Sequence, residues 1–412
     1  MQKNVRHCTQ SVLLWIQDKH IFNISLLLFL KPITDMFYQF RFLDALLLAY
    51  AAGVLVFSAG KIARQKIDLI ALLIILMFTQ SFLKNVSFGS LLIYIKIISQ
   101  YLLFFIARKS YEDTERYVSV LQKSYLIVLI TNLLAIGLGY GTVLWGEAHT
   151  LRGMYYYKTD LSIAMLQLII LFIMKSRWSW YDFLVMLAGF SMIVLSNSRL
   201  FFILSVEILF AAFLYRYESR MKLPLRIGFK LFIGFALVGV LAIFLQKQLN
   251  SITYFQDANF ITFDFTDAAY NTQGRATIWK VTFARYMQAG PLDRIFGIDL
   301  TSDMLYNGFF SANAHNMYLK NLFCIGLAGL IVSLIFYLLT IPCFNRLKDR
   351  NLFYTAGCFL LTVLIGGIAN NVQEFTQFTW LPMFFLGGCV KRSLPIEADE
   401  QRGGQKCVDI RT

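Results

Sequence analysis

Few charged residues interrupt this sequence. Charged side chains make up 15% of its 412 residues, whereas apolar side chains make up 58%. So little charge cannot cover the surface of a water-soluble protein of this size. The composition therefore excludes an ordinary soluble domain.

Histidines and cysteines are also scarce. The four histidines are scattered and show no spacing typical of metal ligands. The six cysteines fall in the terminal segments or in and beside apolar stretches, where an exported disulfide is not expected. The sequence thus predicts no metal site, no cofactor and no disulfide.

Long apolar stretches are abundant instead. A helix needs about 20 apolar residues to cross a bilayer core, and about 12 stretches of this kind are present. They are centred near residues 24, 50, 74, 97, 129, 167, 187, 208, 236, 329, 360 and 382. The sequence therefore predicts an all-α, polytopic membrane protein with one membrane domain, residues 1–392. The charged, glycine-containing segment 393–412 is predicted to be a disordered tail.

Basic residues concentrate in alternate loops. One set of loops, which includes residues 61–66 and 346–350, is rich in lysine and arginine, and so are both terminal segments. The other set of loops contains few basic residues. Because cytoplasmic loops carry the basic excess, we place both termini in the cytoplasm. The long polar segment between the ninth and tenth spans, about residues 247–312, then faces outward. This topology explains the net charge of +14 without a nucleic-acid partner.

Arg199 departs from this charge pattern. It ends the short outward turn Ser196–Arg199 between two predicted spans. An arginine at a helix end can simply reach the lipid headgroups. The neighbouring hydroxyl and amide side chains also suit an anion, so Arg199 is a candidate binding residue.

Arg275 begins a second candidate segment. The residues after it read as a helix that stops at Gly290-Pro291. At 3.6 residues per turn, Lys280 points away from the face that Arg275 occupies. That face also carries Ile278, Trp279, Thr282 and Tyr286. A charge on a packed face is expected to point into the structure, towards a carboxylate or an anionic ligand.

His315 is the third candidate. It lies at the start of the tenth predicted span, between Asn313 and Asn316, on the outward side. A lone histidine is more often structural than catalytic. Its place at the membrane surface nevertheless suits a group that accepts a hydroxyl proton near neutral pH.

These segments together resemble the O-antigen polymerase and ligase superfamily of bacterial envelopes. The resemblance rests on the Ser196–Arg199 turn, the Gly274-Arg275 helix with Trp279, the Pro291–Gly297 turn, and His315-Asn316 followed by Leu319 and Gly326. It covers residues 195–340 by motif, and the first half of the chain by topology alone.

The resemblance implies a membrane-embedded glycosyltransferase of the C-type fold in the bacterial inner membrane. Its donor would be a glycan on undecaprenyl pyrophosphate, used at the periplasmic face, without a metal ion. Arg199 and Arg275 would contact the pyrophosphate or the lipid-linked sugar. His315 would position or deprotonate the acceptor hydroxyl. The reserve candidates for the base or for acceptor binding are Glu374, Asp160, Asp264 and Asp267. We add Asn316 and the outward Arg152 as candidate substrate-binding residues, and a chain-length regulator as a possible partner.

Three functions stay open on this basis. A polymerase would transfer the growing glycan to the next lipid-linked repeat unit, and the Gly274–Trp279 segment favours this activity. A ligase would transfer the glycan to lipid A core. A flippase for the same lipid-linked glycans would need charged residues or breaks near the bilayer midplane, whereas most predicted spans have apolar centres.

The predicted topology can be tested by labelling. Asn259→Cys, in the outward segment, should react with an impermeant thiol reagent in intact cells once the outer membrane is permeabilised. Lys348→Cys, in a cytoplasmic loop, should not react. The opposite labelling would show that the orientation is inverted.

Overall fold

The structure is a computed structural model that describes residues 23–37, 39–57, 62, 65–145, 148–173, 175, 178–217, 275–301, 305–307 and 310–394. The described chain is mostly helical, as predicted. Every predicted span centre lies in a helix except the one near residue 236, which is outside the described residues. Half of the predicted outward segment 247–312 and almost all of the predicted tail 393–412 are also outside them.

Fifteen helices can be numbered along the described residues. They are residues 23–36 (α1), Arg41–Phe57 (α2), Lys66–Lys84 (α3), Phe88–Ser110 (α4), Thr114–Gly137 (α5), Lys158–Ile173 (α6), Trp180–Leu195 (α7), Arg199–Tyr217 (α8), Arg275–Gln288 (α9), Pro291–Phe296 (α10), Met317–Cys324 (α11), Gly326–Leu338 (α12), Thr340–Arg346 (α13), Arg350–Ala369 (α14) and Thr376–Arg392 (α15). A 3₁₀ turn, Val372–Glu374, joins the last two.

Five of the described helical segments are long and apolar enough to cross a membrane. They are Lys66–Lys84, Phe88–Ser110, Thr114–Gly137, Gly326–Arg346, which comprises α12 and α13, and Arg350–Ala369. Polar side chains define where several of them begin, because the first turn of a helix leaves backbone N–H groups unsatisfied. Ser87 accepts from the N–H of Ser90, and Asp349 accepts from that of Leu352.

The predicted all-α class omits two short hairpins. Thr142–Trp145 (β1) pairs with Ala148–Leu151 (β2), and Leu305–Asn307 (β3) pairs with Phe310–Ala312 (β4), both antiparallel. Each hairpin lies in a loop between predicted spans. Such loops need not be helical, because their backbone groups can pair across strands or with water.

Two glycines of α15 let this helix pack closely against α4 and the residue that follows it. A Cβ added at Gly387 would lie 2.4 Å from the carbonyl oxygen of Phe104, and one at Gly388 would lie 2.5 Å from the Tyr111 ring. Small residues let helix backbones approach in this way in membrane proteins. The last helix is thereby held against the N-terminal half of the chain.

Polar contacts between helices occur at both ends of the bundle, which we call the lower and the upper end. At the lower end, the buried Arg108 guanidinium donates twice to Asp68, at 2.8 Å each, and Thr114 donates to Asp349. At the upper end, Lys31 donates to Thr376, and Lys84 contacts Asp293. These ends match the two sets of loops in the charge pattern. Which end faces outward stays a prediction.

The glycine contact yields a stability test. Gly387→Ala should destabilise the protein by about 1–3 kcal/mol, because the added methyl group meets the Phe104 carbonyl. The matched control is Gly357→Ala in α14, where no atom lies within 4 Å of the added Cβ. It should be neutral or stabilising by about 0.5–1 kcal/mol. Thermal unfolding in detergent measures both, and equal melting temperatures would contradict the packing.

Candidate functional site

The first turn of α6 lies against the turn that joins α7 to α8. The ammonium group of Lys158 donates to the carbonyl oxygen of Asn197 at 3.3 Å, and the hydroxyls of Ser162 and Ser196 are 2.6 Å apart. Residues four apart share a helix face, so one face of α6 makes both contacts. Asn197 has a φ of +52°, a left-handed conformation that asparagine tolerates better than most residues. This geometry sets the direction in which α8 leaves the turn.

Arg199 is the first residue of α8, and Arg275 is the first residue of α9. Both lie close enough to Lys158 to repel its ammonium group. Burial, with this repulsion from Arg275 and Arg199, lowers the pKa of Lys158 to about 8. Lys158 precedes the apolar stretch of α6, which starts at Leu161. We call Lys158, Arg199 and Arg275 the cation cluster.

The helix that begins with Arg275 packs as the sequence predicts. It ends at Gln288, just before Gly290-Pro291. Of the predicted inner face, Thr282 and Tyr286 are buried, whereas Lys280 on the other side is exposed. Arg275 on that inner face is partly buried, and its burial lowers the pKa of the guanidinium.

His315 lies in a loop tied to the same helix. The indole N–H of Trp279 donates to the carbonyl oxygen of Ala314 at 2.9 Å, one residue before the histidine. The backbone N–H of His315 donates to Asn313 at 3.0 Å. Its φ of +44° is left-handed, which costs about 1–2 kcal/mol for a side chain of this type. The loop is therefore held in a specific, strained conformation.

Asn316 has a clear structural use. Its side-chain oxygen accepts from the N–H groups of Tyr318 and Leu319 at the start of α11, and its amide nitrogen donates to the Ile368 carbonyl. It thus caps one helix and fixes it to the end of α14. Contact of Asn316 with substrate stays a prediction.

Arg152 lies after β2, and its backbone N–H donates to the Gly141 carbonyl at 2.7 Å. Its Nε atom is buried and has no hydrogen-bond partner within the described part of the chain. The groups that perturb Lys158 include Arg199 and Arg275 but not Arg152. The structure therefore groups two of the predicted arginines and leaves the role of the third as a prediction.

The cation cluster suits a ligand with several anionic oxygens. Arg199 and Arg275 both repel Lys158, and a bound anion would offset this repulsion with attraction. Each charge-assisted hydrogen bond to such a ligand would contribute on the order of 1.5–3 kcal/mol. Among the described residues, no group of three or more histidine, cysteine, aspartate or glutamate side chains could hold a metal ion.

Comparisons with known proteins do not assign this chain to a family. The chain matches no model of a known protein family, and a search of curated proteins finds no match. The resemblance to O-antigen polymerases and ligases therefore stays a prediction from the motifs.

Lys158 is the member of the cluster that the sequence did not single out. It is one of the few basic residues in the sparse set of loops and directly precedes an apolar stretch. Arg199 was selected for the same departure from the charge pattern. Applying that criterion to every outward base would have included Lys158.

The charge of Lys158 makes anion binding sensitive to pH. An anion in the cluster stabilises the protonated ammonium, so binding should be strongest below pH 8. Above pH 8 the free amine must take up a proton, and affinity should fall by at most about tenfold per pH unit. Titration of undecaprenyl pyrophosphate into nanodisc-embedded protein measures this dependence.

Lys158→Arg is the matched control, because a guanidinium keeps its proton over this range. The variant should lose the decline above pH 8 but keep any effect of the ligand's own ionisation. The same pH dependence in both proteins would show that Lys158 is not part of the binding site.

Proposed function

We propose that this protein is a glycosyltransferase that uses a glycan on undecaprenyl pyrophosphate as its donor, at the outer face of the bacterial inner membrane. The acceptor is the next lipid-linked repeat unit, which makes the enzyme an O-antigen or related surface-polysaccharide polymerase. The observation that supports this proposal is the convergence of Lys158, Arg199 and Arg275 at one end of the bundle.

The reaction breaks the bond between the anomeric carbon of the donor and the pyrophosphate oxygen. The electron pair leaves with the pyrophosphate, so the negative charge grows where the cations lie. Pyrophosphate is a good leaving group and needs charge stabilisation more than protonation. The planar guanidinium groups of Arg199 and Arg275 can each donate two hydrogen bonds without losing a proton. Reduced water at the membrane surface would strengthen these contacts.

His315 keeps the role that the resemblance implies. Through Ala314, its loop is fixed to the helix that Arg275 begins. This link supports the proposal, because it ties the loop of a titratable side chain to the helix of Arg275. In the proposal, His315 positions the acceptor hydroxyl or accepts its proton.

One observation favours the transport alternative. Glu207 lies within α8, is 8% exposed, and has no hydrogen-bond partner for either carboxyl oxygen among the described residues. A buried carboxyl inside a membrane helix is a feature of transport pathways. The expectation that the spans have apolar centres is therefore incomplete at α8.

Analysis of the surface polysaccharide of a deletion strain separates the three functions. Loss of a polymerase leaves single repeat units on lipid A core. Loss of a ligase leaves polymer on the undecaprenyl carrier, and loss of a flippase leaves repeat units in the cytoplasm. A gel ladder with extraction of the lipid-linked glycans distinguishes these outcomes.

The arginine role predicts a specific loss on conservative substitution. Arg275→Lys should restore the polysaccharide ladder of the deletion strain little better than Arg275→Ala, because an ammonium keeps the charge but loses the paired donors. The exposed neighbour Lys280 provides the control, and Lys280→Ala should restore the ladder. Full complementation by Arg275→Lys at normal expression would contradict direct binding of pyrophosphate by this guanidinium.

A further inference from the structure

A second polar group lies on the other flank of α6. Residues two apart on a helix point about 200° away from each other, so Asp160 leaves α6 on the side opposite to Lys158. Its carboxyl accepts from the backbone N–H of Tyr157 at 3.3 Å. Asp160 is 7% exposed, and its Oδ1 atom has no hydrogen-bond partner among the described residues. A buried carboxyl oxygen without a partner indicates that a donor group is missing.

Tyr155 supplies the complementary atom. It is 2% exposed, and its hydroxyl also has no hydrogen-bond partner in the described part of the chain. Burial raises the pKa of Tyr155 well above its usual value, and the nearby Tyr125, Asp35 and Asp160 raise it further. Tyr155 therefore keeps its proton and can donate a hydrogen bond. A ligand hydroxyl that donates to Asp160 and accepts from Tyr155 would satisfy both groups.

The surrounding elements supply further polar groups. The side-chain amide of Gln377 in α15 hydrogen-bonds to the Asp160 carboxyl, and the positive charge of Lys96 in α4 also favours its ionised form. From α1, the carboxyl of Asp35 pairs with Lys31 at 2.5 Å, so that acid has its own cation. From α5, the hydroxyl of Tyr125 donates to Gln167. Carboxyl, amide and phenol groups are the donors and acceptors that bind sugar hydroxyls.

We propose that Asp160 and Tyr155 form the acceptor subsite of this enzyme, and that Asp160 is the catalytic base that takes the proton of the attacking sugar hydroxyl. This inference rests on the proposed function. It assigns the ligand class, a sugar hydroxyl of the acceptor glycan, to Tyr155 and to Asp160, which the sequence offers only as a reserve candidate for the base.

The acceptor oxygen forms a bond to the anomeric carbon while its proton moves to the Asp160 carboxylate. The bond from that carbon to the pyrophosphate oxygen breaks, and its electrons stay on the pyrophosphate beside the cation cluster. Asp160 then releases the proton to water. Asp160, which gains the proton, and the pyrophosphate, which gains negative charge, thus lie on opposite flanks of the first turn of α6.

The environment of Asp160 matches this role. Burial is the main cause that raises the pKa of Asp160 to about 7, against the opposing effects of Tyr157, Gln377 and Lys96. A base with a pKa near the working pH is ionised often enough to act and basic enough to take a proton. His315 then acts as a positioning residue beside the reacting groups.

Turnover and binding are measured together in nanodiscs. The probes are lipid-linked repeat units extracted from the deletion strain for turnover, and undecaprenyl pyrophosphate for binding. Asp160→Asn should lower kcat by about 10²- to 10⁴-fold and leave undecaprenyl pyrophosphate binding unchanged. Tyr155→Phe should raise the KM for the acceptor more than it lowers kcat. The control is Asp293→Asn, at the exposed pair with Lys84, which should keep full turnover.

The pH profile of the wild-type enzyme tests the same point without a substitution. The value of kcat/KM should rise with pH to a plateau, with an apparent pKa near 7. Because a carboxyl pKa hardly changes with temperature and an imidazole pKa falls on warming, the rising limb should stay in place between 15 and 35 °C, as expected of Asp160. A limb that shifts down on warming would assign the base to His315 and overturn the proposal, as would a flat profile.

The outcomes separate the two proposals. If wild-type protein does not extend the lipid-linked glycan, the proposed function is wrong. If it does, and Asp160→Asn turns over at the wild-type rate, the base assignment alone is wrong. Variants that lose thermal stability but not kcat would show that Asp160 and Tyr155 bind a structural water and not the acceptor, and would overturn the proposal.

Discussion

The complete burial of α6 is the constraint on which the rest of the structure depends. Nearly every residue from Lys158 to Ile173 is buried, including the polar residues of its first turn. A lysine on a lipid-facing helix can extend its ammonium group to the headgroups, but one on a central helix cannot. Lys158 and Asp160 must therefore be satisfied inside the protein. The surrounding helices present arginines on one flank and hydroxyl, amide and carboxyl groups on the other.

Electrostatics distinguishes the two flanks of α6, because the two arginines lie on the flank of Lys158. Two like charges roughly 8 Å apart repel by about 2 kcal/mol at an effective dielectric constant of 20. Two such interactions, of Lys158 with Arg199 and of Lys158 with Arg275, oppose folding unless other groups offset them. A well-packed apolar turn would avoid this cost. The repulsion of Lys158 by Arg199 and Arg275 is the feature that the proposed anionic ligand would offset.

Local features were predictable from the sequence, and long-range pairings were not. Helical periodicity predicted the buried face of α9, including Thr282, and the stop at Gly290, because both depend on neighbouring residues. The approach of Lys158 to Arg275 joins positions far apart in the chain, and a single sequence has no signal for it. Asn316 was predicted to bind substrate, yet its amide caps α11, a use that requires knowing where that helix starts.

Backbone strain provides an independent reason to place function at this end of the bundle. Among the described residues, the non-glycine positions with positive φ are Asn197 and His315. Asn197 accepts from Lys158, and His315 follows the carbonyl to which Trp279 donates. A strained residue persists only where its neighbours hold it, and such residues concentrate at functional sites. For His315, the Asn313 turn on one side and the Asn316 cap on the other hold the backbone, so its left-handed conformation is maintained by contacts within the protein itself.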